Sequence, residues 1–314
     1  MKSFVESQCL RAGSVLRLFV LCITAACLCA CQSPEVRVTE SLPVKKLSVN
    51  GTEMAFVEDG KGETIVFIHG AAGDWRSWEG LRPYIAQKYH FVSLSRRYHW
   101  PNTSSGDGSD YSVLQHADDA AAFIRALNVG KVHLVGGSYG GRIAAYVAQR
   151  HPELLRSVTM SDPGFTVPDT AEGKAARSDF QKDMAKSSAA ARAGDARQST
   201  ILMFDAVQGD PTAFEKASPQ VQQRLLDNAG TMPLWFAGAV PPPMACELLG
   251  AFKVPALVMR GERSRVAFAA SDEALLRCLP KGTASAVVPN AAHYWYPVNP
   301  QAGAQAILDF VAKH

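Results

Sequence analysis

Gly136-Gly137-Ser138-Tyr139-Gly140-Gly141 sets a single serine among four glycines, between an apolar run and a helical pattern. A serine on so tight a strand-to-helix turn is driven toward positive φ, and the positions two residues away on either side must lack bulk. Gly136 and Gly140 meet that demand, and Gly141 lets the following helix lie close to the sheet. The hydroxyl then projects at a helix N-terminus, where partial positive charge favours a developing anion. Such a turn carries a nucleophile. Serine alone is a weak one: it needs an oriented imidazole, and the imidazolium that forms needs a carboxylate on its other nitrogen. The chain has eight histidines, and no two histidines or cysteines stand at metal-ligand spacing. Neither metal nor cofactor is therefore expected.

The elements that position this turn can be read from periodicity. Short strand patterns fall at 44–49, at 53–57 after the turn Asn50-Gly51, and at 64–69, where TIVFIHG is apolar on both faces, as a central buried strand should be. Further strands are expected at 90–96, 132–136, 157–161, 255–259 and 284–289. Helices are expected at 111–127, 139–151, 271–278 and 301–312. In the first of these, Asp118 and Asp119 lie off the apolar stripe. Strand-helix alternation of this kind argues for an α/β fold, a mostly parallel central sheet with helices on both faces. Some ninety residues between the strands at 157–161 and 255–259 break the pattern, with helical periods near 180–191 and 221–226. That block is too long for a loop and is expected to be a helical insertion over the working edge of the sheet.

With these residues in place, the chain resembles the serine-nucleophile branch of the α/β-hydrolase superfamily, from about residue 44 to the C-terminus. His69-Gly70-Ala71-Ala72-Gly73 stands where that family keeps its oxyanion loop, which implies that the amides of Ala71 and Tyr139 form the oxyanion hole and that His69 is structural. Pro289-Asn290-Ala291-Ala292-His293 follows the last strand, where the family places its catalytic histidine, and so His293 becomes the expected general base. His99 is a candidate for the pocket mouth and His116 for a plain helix face. The insertion at 165–250 corresponds to the family's cap; 44–164 and 251–314 make the core. Phe204, Trp235, Phe236 and Trp295 are candidate pocket walls.

The acid is where this sequence departs from the family. The usual seat lies three residues past the glycine that ends the seventh strand, and here it holds Ser264. Glu262 beside it is an alternative acid, and Asp272 reads as a helix cap. Asp162 stands at the carboxyl end of the sixth strand, 24 residues after Ser138 and just before Pro163. Catalytic groups of open parallel sheets collect along that edge, and some family members seat their acid there. Asp162 is the expected triad acid, with Glu262 or a dyad as alternatives.

Five of the seven cysteines lie before residue 32. Lys2, Arg11 and Arg17 precede a 13-residue apolar stretch at 18–30, too short to span a bilayer and suited to a signal peptide at 1–30. Leu28-Cys29-Ala30-Cys31 resembles a bacterial lipobox, which implies a lipid anchor on Cys31 and a tether at 31–43; Cys27 offers a competing site, and a plain cleaved signal with soluble periplasmic or secreted export is the alternative. Gln32 after that cysteine leans toward the outer membrane. Cys246 and Cys278 could pair in an oxidising compartment or remain separate thiols. A net charge of +3 without a basic cluster gives no case for nucleic acid. The expected function is ester hydrolysis of a small molecule through an acyl-enzyme on Ser138. Lactone or carbon–carbon bond hydrolysis on the same fold is an alternative, and a non-catalytic binding lipoprotein is one of another class.

Overall fold

The computed structural model describes residues 42–102, 106–166, 169–238 and 244–314. Cys31, the leader and most of the tether lie outside the described residues. Eight strands form one sheet: β1 (Lys45–Val49), β2 (Thr52–Asp59), β3 (Thr64–Ile68), β4 (His90–Leu94), β5 (Val132–Gly137), β6 (Leu155–Ser161), β7 (Ala256–Gly261) and β8 (Ala284–Val288). Their order across the sheet is β1-β2-β4-β3-β5-β6-β7-β8. β1 and β2 form an antiparallel hairpin at one edge, β2 pairs antiparallel with β4, and every other pairing is parallel. Asn50 and Gly51 both take positive φ, +46° and +72°, as a two-residue hairpin with the right twist requires.

The two faces of β3 show why the sheet must be covered on both sides. Ile65 and Phe67 point into one cluster with Trp78, Trp295 and Ile307, while Val66 and Ile68 join Phe123, Ile143 and Val147 on the other face. Each such fully buried side chain contributes about 1.5–3 kcal/mol. The short helix α1 (Arg82–Ile85) belongs to the first side. α2 (Val113–Leu127) and α3 (Tyr139–Arg150) belong to the second. Between β6 and β7 the chain runs through α4 (Ala171–Arg192), α5 (Ala196–Gln208), α6 (Ala213–Lys216), α7 (Pro219–Asp227), α8 (Thr231–Ala237) and α9 (Cys246–Gly250). Met203, Phe204, Phe214, Leu225 and Met232 give this block a small core of its own, completed by Ala72 and Phe268 from the sheet side. α10 (Val266–Cys278) and α11 (Pro300–Val311) complete the chain. Cys246, the first residue of α9, is disulfide-bonded to Cys278, the last of α10, with Cα atoms 4.8 Å apart. Among the described residues no helix is long and apolar enough to cross a membrane.

Asp119, off the apolar stripe, is nonetheless buried, ion-paired to Arg97 at 2.7 Å and hydrogen-bonded by Asn50. Two expectations are corrected here. Asp272 caps nothing. α10 begins at Val266, which places Asp272 mid-helix and buried, with neither oxygen hydrogen-bonded. Trp295 is core, fully buried against Trp78 and donating its indole N–H to Ser161 Oγ at 2.8 Å.

Candidate active site

Ser138 sits at φ +53° and ψ −117° between β5 and α3. Few side chains tolerate that backbone, and holding it costs about 1–3 kcal/mol. The neighbours over-determine it. A Cβ on Gly136 would lie 2.1 Å from the Gly140 carbonyl oxygen, and one on Gly140 would lie 2.3 Å from that of Ile68. The Ser138 amide donates to the Ser161 carbonyl at 2.7 Å and so hangs the turn on the end of β6.

Asp162 follows β6 directly and also takes positive φ, +43°. Its carboxylate is 1% exposed. Oδ2 accepts from the Ser264 hydroxyl at 2.9 Å and, at the long distance of 3.4 Å, from the Gly261 amide. The same oxygen lies 3.7 Å from His293 Nδ1, which is ion-pair distance and longer than a hydrogen bond. Oδ1 has no partner. Burial pushes the acid up to about 7, opposed by the Ser264 hydroxyl and the Gly261 amide, both of which favour the charged form.

His293 is 2% exposed, and its ring lies against Phe268 with centroids 4.2 Å apart. The loop that carries it is docked to the end of β7, where Arg263 N donates to Ala291 O at 2.8 Å. Burial, helped by the nearby Arg142 guanidinium, pushes its pKa down to about 3. At neutral pH it is therefore an unprotonated imidazole able to accept a proton. Ser138, His293, Gly70 and Ala71 line one small void of about 30 Å³ together with Tyr296. These residues come from the loop after β3, the turn after β5 and the loop after β8.

The Gly70–Ala71 loop is braced from below. His69 Nε2 accepts from Arg96 N at 3.0 Å, which leaves Nδ1 to donate to Gly70 O at 2.8 Å. Only the neutral imidazole satisfies both bonds, and burial together with Arg96 holds its pKa well below the ordinary value. Arg96 adds a bond to the same carbonyl at 3.0 Å. Ala71 borders the void, and Tyr139, the first residue of α3, has an amide with no acceptor inside its own helix. His99 is buried behind this loop rather than at a pocket mouth, bonded to Gly73 O and the Tyr111 hydroxyl. His116 is buried beside them instead of on an open helix face.

Glu262 is exposed, and its carboxylate accepts from the Asn290 amide at 2.7 Å. It tethers the loop before His293 and makes no contact with the imidazole. A larger cavity of about 380 Å³ opens from Ser138 under the helical block, walled by Phe180, Trp235, Phe236 and Phe268. Phe204 instead borders the small void beside His293. Arg142 and Arg177 also line the larger cavity. Neither was singled out from the sequence, although Arg142, four residues after Ser138, shares its helix face. A roomier cleft of about 620 Å³ beside α4 and α5, lined by Asp179, Asp183 and Arg265, contains none of these groups. Among the described residues no group of three or more histidines, cysteines and carboxylates is arranged to hold a metal ion.

A mostly parallel sheet covered on both faces, with serine, histidine and carboxylate at the carboxyl ends of its strands, defines a hydrolase scaffold. Residues 63–300 match the alpha/beta hydrolase fold family, and the chain belongs to that family as an enzyme of the α/β-hydrolase type. The 2-(acetamidomethylene)succinate hydrolase of Mesorhizobium japonicum is 26% identical over 261 residues, which span 81% of this chain and 90% of the relative. A thermophilic esterase from Thermogutta terrifontis shares 22% identity with a TM-score of 0.68, covering 86% of this chain and 98% of its own. The enol-lactonase of Burkholderia xenovorans shares 18% identity with a TM-score of 0.68, covering 85% and 100%.

Proposed function

We propose that this hydrolase cleaves a carboxylic ester of a small molecule through an acyl-enzyme on Ser138. Ser138 Oγ attacks the carbonyl carbon while His293 takes the hydroxyl proton. The oxyanion is held by the amides of Ala71 and Tyr139, each worth about 3–4 kcal/mol where such donors have been removed. Collapse expels the alcohol, to which His293 returns the proton; water then enters by the same route and releases the acid. Asp162 orients the imidazole and offsets its charge. The observation that carries this reading is the void shared by Ser138, His293 and Ala71, with Asp162 behind the imidazole. The helices from α4 to α9 act as the cap and supply Phe180, Trp235 and Phe236 of the aromatic wall.

A fluorophosphonate probe tests it. Wild type should be labelled stoichiometrically and Ser138→Ala not at all, with p-nitrophenyl butyrate hydrolysis lost in parallel; a folded wild-type protein inert to both reagents sinks the proposal. The name of the Mesorhizobium relative favours a second reading, hydrolysis of a small acetamido-bearing acid on the same serine.

Export, with lipidation on Cys31, is the companion proposal. The Cys246–Cys278 bond supports it, because disulfides persist in oxidising compartments. Metabolic labelling with palmitate should mark the wild-type chain and not Cys31→Ser; equal labelling of both rules out that anchor.

A further inference from the structure

The proposed ester chemistry uses Ser138, His293, Asp162 and two amides, and leaves Arg142 and Arg177 in the same cavity without a task. Their side chains are held by backbone. Arg142 Nε and Nη2 donate to Pro163 O (2.8 Å) and Gly164 O (3.0 Å), and Arg177 Nη1 donates to Thr166 O (2.7 Å). That leaves Nη1 of Arg142, and Nε and Nη2 of Arg177, without a partner among the described residues.

No carboxylate balances their charge inside the cavity they share. Arg97 and Arg265 each answer a carboxylate, Asp119 and Asp183 respectively. Arg96, Arg192, Arg197, Arg224, Arg260 and Arg263 form no ion pair among the described residues, but none of them lines this cavity. Arg142 and Arg177 form no ion pair among the described residues, and none of the residues lining the cavity is an aspartate or glutamate. Burial, with the Arg177 charge adding to it, pulls Arg142 down to about 10, so it remains a cation at neutral pH. Two like charges facing one partly apolar cavity without a counter-ion are stabilised by an anion that enters it.

We propose that Arg142 and Arg177 form a carboxylate-binding subsite, so that the substrate is an anionic ester whose free carboxylate lies within a few bonds of the scissile carbonyl. The spacing follows from the helix. Arg142 N donates to Ser138 O at 3.2 Å, one turn from the nucleophile, so an anion on these guanidiniums is held beside the acyl group rather than remote from it. The planar fork of arginine suits the two oxygens of a carboxylate. Phe180 and Trp235 then receive the apolar part of the substrate.

This subsite deepens the ester-hydrolase reading and rests on it. The test pairs mono-p-nitrophenyl glutarate with its methyl ester, which replaces the carboxylate by a neutral group one methyl larger, on wild type, Arg177→Gln and Arg142→Gln. Wild type should favour the anionic ester by about 10- to 100-fold in kcat/KM, the difference expected of charge-assisted hydrogen bonds. That preference should shrink with added salt, and Arg177→Gln should bring the ratio close to one. A wild-type ratio near one, or a ratio that neither arginine substitution moves, overturns the subsite while leaving the ester-hydrolase reading intact. If wild type cleaves neither ester and takes no fluorophosphonate, the ester reading itself falls. Binding then decides the subsite: glutarate should raise the Tm of Ser138→Ala and fail to raise that of Ser138→Ala/Arg177→Gln, and the absence of any stabilisation of Ser138→Ala overturns it.

Discussion

The turns after β5 and β6 reach similar backbone geometry by different means. Ser138 and Asp162 both take positive φ, and each hangs its amide on the neighbouring strand, Ser138 on Ser161 and Asp162 on Met259. The serine is fixed by what its neighbours lack: any side chain at Gly136 or Gly140 would collide with main chain. The aspartate is fixed by what it is given, the Ser264 hydroxyl and the Gly261 amide. A nucleophile set by backbone sterics is insensitive to distant side chains. An acid set by donors depends on each of them.

That contrast can be broken or sharpened in order of effect. Ser138→Ala should cost about 10⁴–10⁶ in kcat, read with p-nitrophenyl butyrate. Asp162→Asn should cost about 10³–10⁴, since the amide can hold the imidazole in the wrong tautomer and supplies no compensating charge. A mild effect there, combined with collapse in Glu262→Gln, would move the acid to β7 and dissolve the comparison. Ser264→Ala is the sharper probe. The hydroxyl favours ionised Asp162, so its loss raises that pKa further above its already elevated position near 7. Activity that needs the carboxylate ionised should then fall by about 7- to 80-fold at pH 7, for the roughly 1.5–3 kcal/mol of one hydrogen bond to a charged group. The acid limb of the kcat/KM profile should move to higher pH. An unmoved limb would mean that Ser264 only fills space. Cys278→Ser should leave turnover nearly unchanged while lowering Tm, given about 2–4 kcal/mol for a disulfide. Glu262→Gln should change kcat by less than about twofold, since surface substitutions of this kind have small effects.

The sheet was legible because its strands are short apolar runs bounded by glycine and proline, and the serine turn because four glycines announce it. Asp162 could be reached from the rule that ligands collect at strand ends, but its positive φ could not, since Pro163-Gly164 reads equally well as an ordinary turn. What escaped was long-range. Ser264 and Asp162 are 102 positions apart and meet only once β6 and β7 are paired. α10 was placed five residues too late because Val266-Ala267-Phe268-Ala269-Ala270 shows no polar cap, and the same slip turned a buried mid-helix Asp272 into a supposed cap. α5 passed unread although Asp195 accepts from Gln198 N at its start, a signal that was present in the sequence.

The bond between Cys246 and Cys278 has a topological consequence. It closes a covalent ring that contains all of β7, the Glu262–Arg265 turn and nearly all of α10. A single cut anywhere inside that ring would leave one molecule rather than two. A protease that nicks the exposed Glu262-Arg263 segment should therefore yield one band on a non-reducing gel and two fragments after reduction, with the hydroxyl that steadies Asp162 still attached to both halves of the chain.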